Sequence, residues 1–402
     1  MTRQLRILVV IGHWPSKTHP YLSWLFFRLK QNFPGLSLFH YNQPELEEGY
    51  TVIGKAAVNQ VLEGSFYRRP FGLNPFLHLR AIFKILKNLS QSRAVISDCR
   101  AQGLSMGQAY GQLYYYQDLL GQRFDLVHIN ALQTACHFKS KQLFGQAKVL
   151  TSSRGQDFDF FPDRYDRVLQ QIDILHVLGT YLKVKARAQG YKGPVSVIPP
   201  AFPEIPSISK PSNRGGIQDG KVIIATAARL SWVKGFEYSL ITIKLLVDKG
   251  YDVTYRIYGD GEELEHLLYM VQNLGLTKKV QFYGWLEEPR LLEELKGVDF
   301  YLLLAISEAF NNSVLLAQAL GIPCVVSDAG GLSENVADRI SGRVVSRYDA
   351  SAAAEALMEL IDNSALYQQF SQNARQRVQN HFSLDHQVEQ YKAMYEKVIA
   401  TD

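Results

Sequence analysis

Two hydrophobic periods alternate along the chain. Short runs rich in Val, Ile and Leu predict strands over 5–11, 36–41, 126–129, 148–151, 174–178 and 195–198. A second series predicts strands over 222–227, 253–258, 280–283, 300–304 and 324–327. Between them, apolar positions return every three or four residues, the spacing of one helix face. This predicts helices over 21–32, 236–248, 262–273, 288–295 and 313–320, with two or three more after residue 350. Near-continuous apolar strands separated by helix-length segments point to parallel sheets covered on both faces. The scheme runs twice. Between the two runs stand Pro199, Pro200, Pro203, Pro206 and Pro211, followed by Gly215 and Gly216. Such a segment suits neither a helix nor a central strand. The expected architecture is therefore α/β: two Rossmann-like, doubly wound domains facing across a cleft. The first covers 1–200, a Pro/Ser/Gly linker covers 201–218, and the second begins at 219. Ligands of such sheets bind beyond the carboxyl ends of the strands, at the switch point.

Composition narrows the class. A chain of 402 residues fits two or three domains, each with its own core. With 47% hydrophobic and 20% charged residues, it is no disordered, collagen-like or coiled-coil chain. Cys99, Cys136 and Cys324 are too few and scattered for a disulfide framework or a zinc site, and fit a reducing compartment. No apolar run approaches the length of a membrane span, roughly 18 residues or more. The run 7–11 is short for a signal peptide. The expectation is a soluble, cytoplasmic protein.

Charge separates the halves. Residues 1–200 carry a net charge of +12 and residues 201–402 a net of −7. A basic half favours an anionic partner. No helix-turn-helix, finger or RNA-binding signature accompanies it, so nucleic acid is not expected.

Two segments carry candidate chemistry, each directly after a predicted strand and before a helix. The first runs Arg229-Leu230-Ser231-Trp232-Val233-Lys234-Gly235. Arg offers a planar fork of donors and Lys a point charge, both suited to phosphate oxygens. A helix start adds backbone N–H groups and the positive dipole end. The second runs Ser307-Glu308-Ala309-Phe310-Asn311-Asn312-Ser313. Here a carboxylate can accept from sugar hydroxyls, and the following N–H groups can serve sugar or phosphate oxygens. The plainer readings are a surface Arg and Lys at a helix start, and a capping segment with Glu308 solvated.

Between these segments lie Tyr258-Gly259-Asp260-Gly261-Glu262-Glu263 and Phe282-Tyr283-Gly284-Trp285, and after them Gly321-Ile322-Pro323 through Gly330-Gly331-Leu332-Ser333-Glu334-Asn335. The ordered set resembles the donor half of family 4 retaining glycosyltransferases, which have the GT-B fold. The first strand with Gly12 and the loop 16–18, Asp125-Leu126-Val127-His128, and Ser153-Arg154-Gly155-Gln156-Asp157 resemble landmarks of the acceptor half. The resemblance implies a donor domain over 219–382 and a final helix, within 383–402, that crosses back to the first domain. It implies a nucleotide-diphosphate sugar as donor substrate, a UDP-sugar before a GDP-sugar, with no further cofactor and no metal. It implies a glycan or lipid-linked acceptor. Carried over by residue, Arg229 and Lys234 bind the diphosphate and stabilise its developing charge, and Glu308 is the third catalytic residue. Glu308 and the backbone at Phe310 and Asn311 hold the sugar, with Asn312 beside them. Amides near Val314 and Leu315 face the phosphates. Gly284 lies near the base, and Gly259 lines the same site.

The chain departs from the family pattern at two places. Where the family has a second glutamate, eight positions after the first, this chain has Leu316. Leucine cannot accept a hydrogen bond from ribose, a loss of roughly 1–3 kcal/mol. The readings are weaker donor binding, a differently held nucleotide, or a catalytically impaired binding protein. At the second place, Arg154 stands where relatives have histidine. It suits a phosphate or acidic acceptor, or a salt bridge to Asp157 or Asp159. Gly12 and His13 follow the first strand and are candidate acceptor contacts, as is Asp157. Finally, Leu79, Ile82, Phe83 and Leu86 share one helix face, and Arg80, Lys84 and Lys87 another. Either this is a domain helix with a solvated basic face, or it lies on an anionic membrane, which would put the protein at the membrane's inner face.

Overall fold

The computed structural model describes residues 4–12, 14, 21–41, 55–69, 75–155, 157–160, 162–202 and 220–400. His13, the loop 16–18, Gln156 and most of the predicted linker lie outside the described residues. The chain forms two compact units. The first comprises Met1–Val177, Lys183–Ile198 and Val388–Asp402; the second comprises Leu178–Leu182 and Pro199–Gln387.

Among the described residues the first unit is built on seven parallel strands: β1 (Ile7–Ile11), β2 (Leu36–His40), β3 (Phe66–Tyr67), β4 (Leu126–Ile129), β5 (Lys148–Ser153), β6 (Ile174–Val177) and β7 (Val195–Val197). Their order is β3-β2-β1-β4-β5-β6-β7. Every residue of β1 is buried, which is why its run is apolar without alternation. Register places Ile7 beside Leu36 on one side and Leu126 on the other.

The second unit repeats the plan with, among the described residues, six parallel strands: β8 (Lys221–Ala227), β9 (Asp252–Tyr258), β10 (Val280–Gly284), β11 (Phe300–Leu303), β12 (Cys324–Ser327) and β13 (Gly342–Val345). Their order is β10-β9-β8-β11-β12-β13. Val222, Ile224, Val253, Tyr255, Phe300 and Leu302 pack with helix residues Leu240, Ile243 and Leu357 in one continuous core. Each such side chain contributes about 1.5–3 kcal/mol by leaving water.

Two strands carry no local signal. β3 has two residues and β13 begins with glycine, so neither shows an apolar run. Each is an outer strand held by its one neighbour, through Phe39 beside Phe66 and Val326 beside Val344. Among the described residues no helix is long and apolar enough to cross a membrane.

Candidate functional site

In the second unit the chain leaves β8 toward β9 and β10, then returns to place β11 on the other side of β8. The loops after β8 and β11 therefore diverge from neighbouring strands, which is the switch point of this sheet. The two segments singled out in the sequence are these loops.

After β8 the chain turns tightly. Arg229 is exposed, and its carbonyl accepts from Ser231 N at 2.9 Å. One turn of 3-10 helix, Trp232–Lys234, leads to Gly235 in the left-handed region, with φ 64°. A Cβ at Gly235 would stand 1.9 Å from Leu304 O. Only glycine lets the two loops close. Ile306 N donates to Val233 O at 2.8 Å and ties the loops together. This brings Lys234 Nζ onto Glu308 Oε2. Asn311 Nδ2 donates to the same oxygen at 3.0 Å. Among the described residues both hydrogen bonds to the Glu308 carboxylate thus fall on Oε2, and Oε1 has none. The pair is largely buried. Removing either partner strands a charge, at a cost of about 3–5 kcal/mol.

Asn311 also starts the helix Asn312–Ala319: its Oδ1 accepts from Val314 N at 2.9 Å, the usual service of an N-cap side chain. Leu315 N donates to Asn311 O at 3.3 Å. The amides of Val314 and Leu315, expected to face phosphates, are therefore already engaged by the cap. Asn312 and Ser313 are the first-turn donors that the cap does not take. The Asn311 amide, expected to hold sugar, donates instead to Asn335 Oδ1 at 3.0 Å, and Asn335 Nδ2 donates to Asn311 O at 3.1 Å. Phe310 is buried, with its ring 5.7 Å from that of Phe382. Asn312 Oδ1 is buried without a hydrogen-bond partner among the described residues.

Gly259 belongs to the same assembly. Its amide donates to Gly284 O at 2.8 Å, and a Cβ there would stand 1.9 Å from Ala228 O. Gly284 ends β10 at φ 69°. Leu230 N donates to Asp260 O at 2.9 Å, so the loops after β8, β9 and β10 are stitched side by side. Leu316 is buried, at 4% exposure.

Sequence reasoning missed Asn335, fully buried, which clamps the backbone of Asn311 from both sides. It is held in turn by Gln318, whose Nε2 donates to Asn335 O at 3.1 Å and whose Oε1 accepts from Ser341 at 3.1 Å. A signal existed: a glutamine inside an otherwise apolar helix needs buried partners.

Gly12, Arg154 and Asp157 belong to the first unit. Gly12 follows β1, where an added Cβ would meet Thr134 Oγ1 at 3.4 Å. Arg154 directs Nε to Asn130, at 2.9 Å to Oδ1 and 3.1 Å to the carbonyl, and Nη2 to Tyr391 Oη at 2.9 Å. Asp159 pairs with Lys185 at 3.0 Å. The Ser153 hydroxyl donates to Asp157 at 2.9 Å. Burial pushes the Asp157 carboxyl above its ordinary range, opposed by hydrogen bonds from the Ser153 and Tyr165 hydroxyls, since burial disfavours the charged form and donors favour it. Glu237, Glu263 and His266 bring ligand atoms within 4.8 Å of one another in the second unit. They are partly or fully exposed, and a contact of 3.0 Å between His266 and Glu237 accounts for part of the grouping.

Comparison with known proteins adds to this geometry. Residues 208–377 match the family model of group 1 glycosyl transferases. N-acetyl-alpha-D-glucosaminyl L-malate synthase of Bacillus anthracis is 29% identical over 151 residues, which is 38% of this chain and 39% of that protein. The chain thus matches less than half the length of that relative. Sucrose-phosphate synthase of Thermosynechococcus elongatus superposes with a TM-score of 0.70 at 17% identity, over 99% of this chain and 100% of that one. Anabaena HepE in complex with UDP superposes at 0.69 with 13% identity, over 98% and 100%. At such identity these likenesses speak of fold alone. The chain therefore has the GT-B fold, with two Rossmann-like domains, and its segment 208–377 matches the group 1 glycosyl transferase model.

Proposed function

We propose that the chain is a retaining, metal-independent glycosyltransferase of family 4. In this reading it moves a hexose from a nucleotide-diphosphate sugar to a glycan or lipid-linked acceptor, in polysaccharide or glycolipid biosynthesis. The observation that carries the reading is the cluster at the switch point of the second sheet: Arg229 exposed, Lys234 paired with Glu308, and Glu308 Oε1 open to accept. A carboxylate so oriented suits sugar hydroxyls, and the two cations suit a diphosphate. In the transfer, the bond from the anomeric carbon to the diphosphate oxygen breaks, and its electron pair stays on the diphosphate. Arg229 and Lys234 meet that growing charge, which is stabilisation specific to the transition state. The acceptor hydroxyl oxygen bonds to the anomeric carbon on the same face, and its proton leaves with the diphosphate. UDP is the favoured carrier, supported by the fold's likeness to HepE in complex with UDP. Acceptor recognition is assigned to the first unit, through Gly12, His13, Arg154 and Asp157, and the site of action to the cytoplasm. Leu316 removes a ribose contact, not a group that acts at the anomeric carbon, so it argues for weaker donor binding over lost activity.

Turnover of a panel of UDP- and GDP-hexoses tests this. Arg229→Ala and Glu308→Ala should each lower turnover by about two to three powers of ten, the scale of a lost transition-state contact. Wild-type rates in both variants would overturn the assignment. Donor binding is read separately by thermal shift, where ligand at about a hundred times its Kd adds about 2.7 kcal/mol.

A further inference from the structure

The helix Pro75–Lys87 in the first unit turns its most apolar side outward. Its fully buried residue is Ala81, with Leu77, His78, Lys84 and Ile85 half-buried. Leu79 is 63% exposed, Phe83 64%, Leu86 63%, Ile82 45% and Phe76 79%. Positions 76, 79, 83 and 86 recur at three and four residues and make one stripe along the helix. A helix of a water-facing domain has the reverse arrangement. The orientation is pinned at one edge, where Arg80 pairs with Asp118 at 2.8 Å, and from the inner side, where His78 Nδ1 lies 3.1 Å from Tyr110 Oη.

Charge tells what suits this stripe. Residues 64–97 contain Arg68, Arg69, Arg80, Lys84, Lys87 and Arg93, and no Asp or Glu at all. Arg80, Lys84 and Lys87 fall along one edge of the stripe. Among the described residues no ion pair takes up Lys84 or Lys87. A protein partner would need both an apolar strip and a dense acidic border. An anionic phospholipid surface supplies both at once, hydrocarbon below and phosphate at the level of the lysines.

We propose that the helix Pro75–Lys87 docks the protein on anionic phospholipid bilayers, with Leu79, Phe83 and Leu86 entering the acyl boundary and Lys84 and Lys87 at the headgroups. It does not rest on the reading of the second unit as a donor site.

Co-sedimentation of the full chain with vesicles tests it. The probes are pure phosphatidylcholine and phosphatidylcholine in which a third of the lipid is phosphatidylglycerol. Binding is expected to the mixed vesicles and to fall as salt is raised. Phe83→Asp with Leu86→Asp should reduce the partition coefficient at least about tenfold. Lys84→Gln and Lys87→Gln should each reduce it about fivefold. All four side chains lie at the surface or beside it, so an unchanged thermal midpoint shows that the variants fold. Equal binding to both vesicle types, or binding unmoved by Phe83→Asp with Leu86→Asp, would overturn the proposal. A chain that ignores vesicles but sediments as a dimer, split by Phe83→Asp, would overturn it in favour of a second copy on the stripe.

Discussion

Acidification from pH 7 to pH 5 should loosen the first unit through a buried chain of hydrogen bonds. Tyr395 Oη lies 2.7 Å from His128 Nδ1, and His128 Nε2 lies 2.7 Å from Ser152 Oγ. Ser152 Oγ lies 2.8 Å from His176 Nδ1, and His176 Nε2 lies 3.0 Å from Ile198 O. All four side chains are fully buried. A carbonyl only accepts, so His176 carries its proton on Nε2. Its Nδ1 then accepts from Ser152, Ser152 accepts from His128 Nε2, and His128 Nδ1 accepts from Tyr395. Both rings are neutral, and a second proton on either would force the Tyr395 or Ser152 hydroxyl to turn its own proton away from the ring, with no acceptor in the chain to take it. Burial, then the neighbouring His176 and Arg154, hold His128 well below the ordinary histidine range. Burial, then Arg154, push His176 down to about 3, against an opposing hydrogen bond to Ile198.

The unfolded chain binds these protons near pH 6.5, and the folded chain refuses them. The contribution to stability is therefore complete above about pH 6.5 and is lost progressively as pH falls toward the folded values. At pH 5 the loss is about 2 kcal/mol for His176, and His128 adds to it in the same direction. Hydrogen exchange read by mass spectrometry, corrected for intrinsic rates, resolves the two units. Peptides from β4, β5 and β6 should lose protection by this amount. Peptides from the second unit serve as the control, since His266, His381 and His386 there are exposed. His176→Gln, which keeps a donor for Ile198 O, should remove a measurable part of the pH dependence. Equal protection of β4–β6 at both pH values, or an undiminished pH dependence in His176→Gln, would refute the reasoning.

Three further outcomes are expected. Asn335→Ala leaves the Asn311 amide without its acceptor and takes one of two donors from the Asn311 carbonyl, which keeps Leu315 N; denaturant titration should show the second unit less stable by about 2 kcal/mol, and kcat should fall, because Asn311 steadies Glu308. Gly235→Ala should unfold the second unit or cost several times the roughly 1 kcal/mol of Gly250→Ala, because both glycines have positive φ but only Gly235 faces a carbonyl; thermal melts of the two variants decide it. Leu316→Glu puts a carboxylate at a buried position, so it should lower the thermal midpoint without ligand yet enlarge the shift produced by UDP; an unenlarged shift would remove position 316 from the ribose.

Much of this is legible in the amino-acid sequence. A strand buried on both faces writes itself as a local apolar run, so the central strands could be read directly, whereas β3 and β13 depend on a neighbour's register. The loops carrying Arg229, Lys234 and Glu308 were legible because they follow such runs and precede helices. Their closure was not, since it needs β8 and β11 to be neighbours although Val233 and Ile306 are far apart in the chain.

The amino-acid sequence by itself determined the two α/β repeats, the break between them and the residue types at the strand ends, because periodicity, glycine and proline act within a few residues. Tertiary structure alone decided which polar groups are already engaged. It gave the amides of Val314, Leu315 and Asn311 to a cap and a clamp, and it linked His128 to Tyr395 across 267 residues. It also chose which side of Pro75–Lys87 faces outward. An amphipathic pattern states that a helix has two faces; only the packing of Ala81 and the Arg80–Asp118 pair, set by distant chain segments, states which of them meets water.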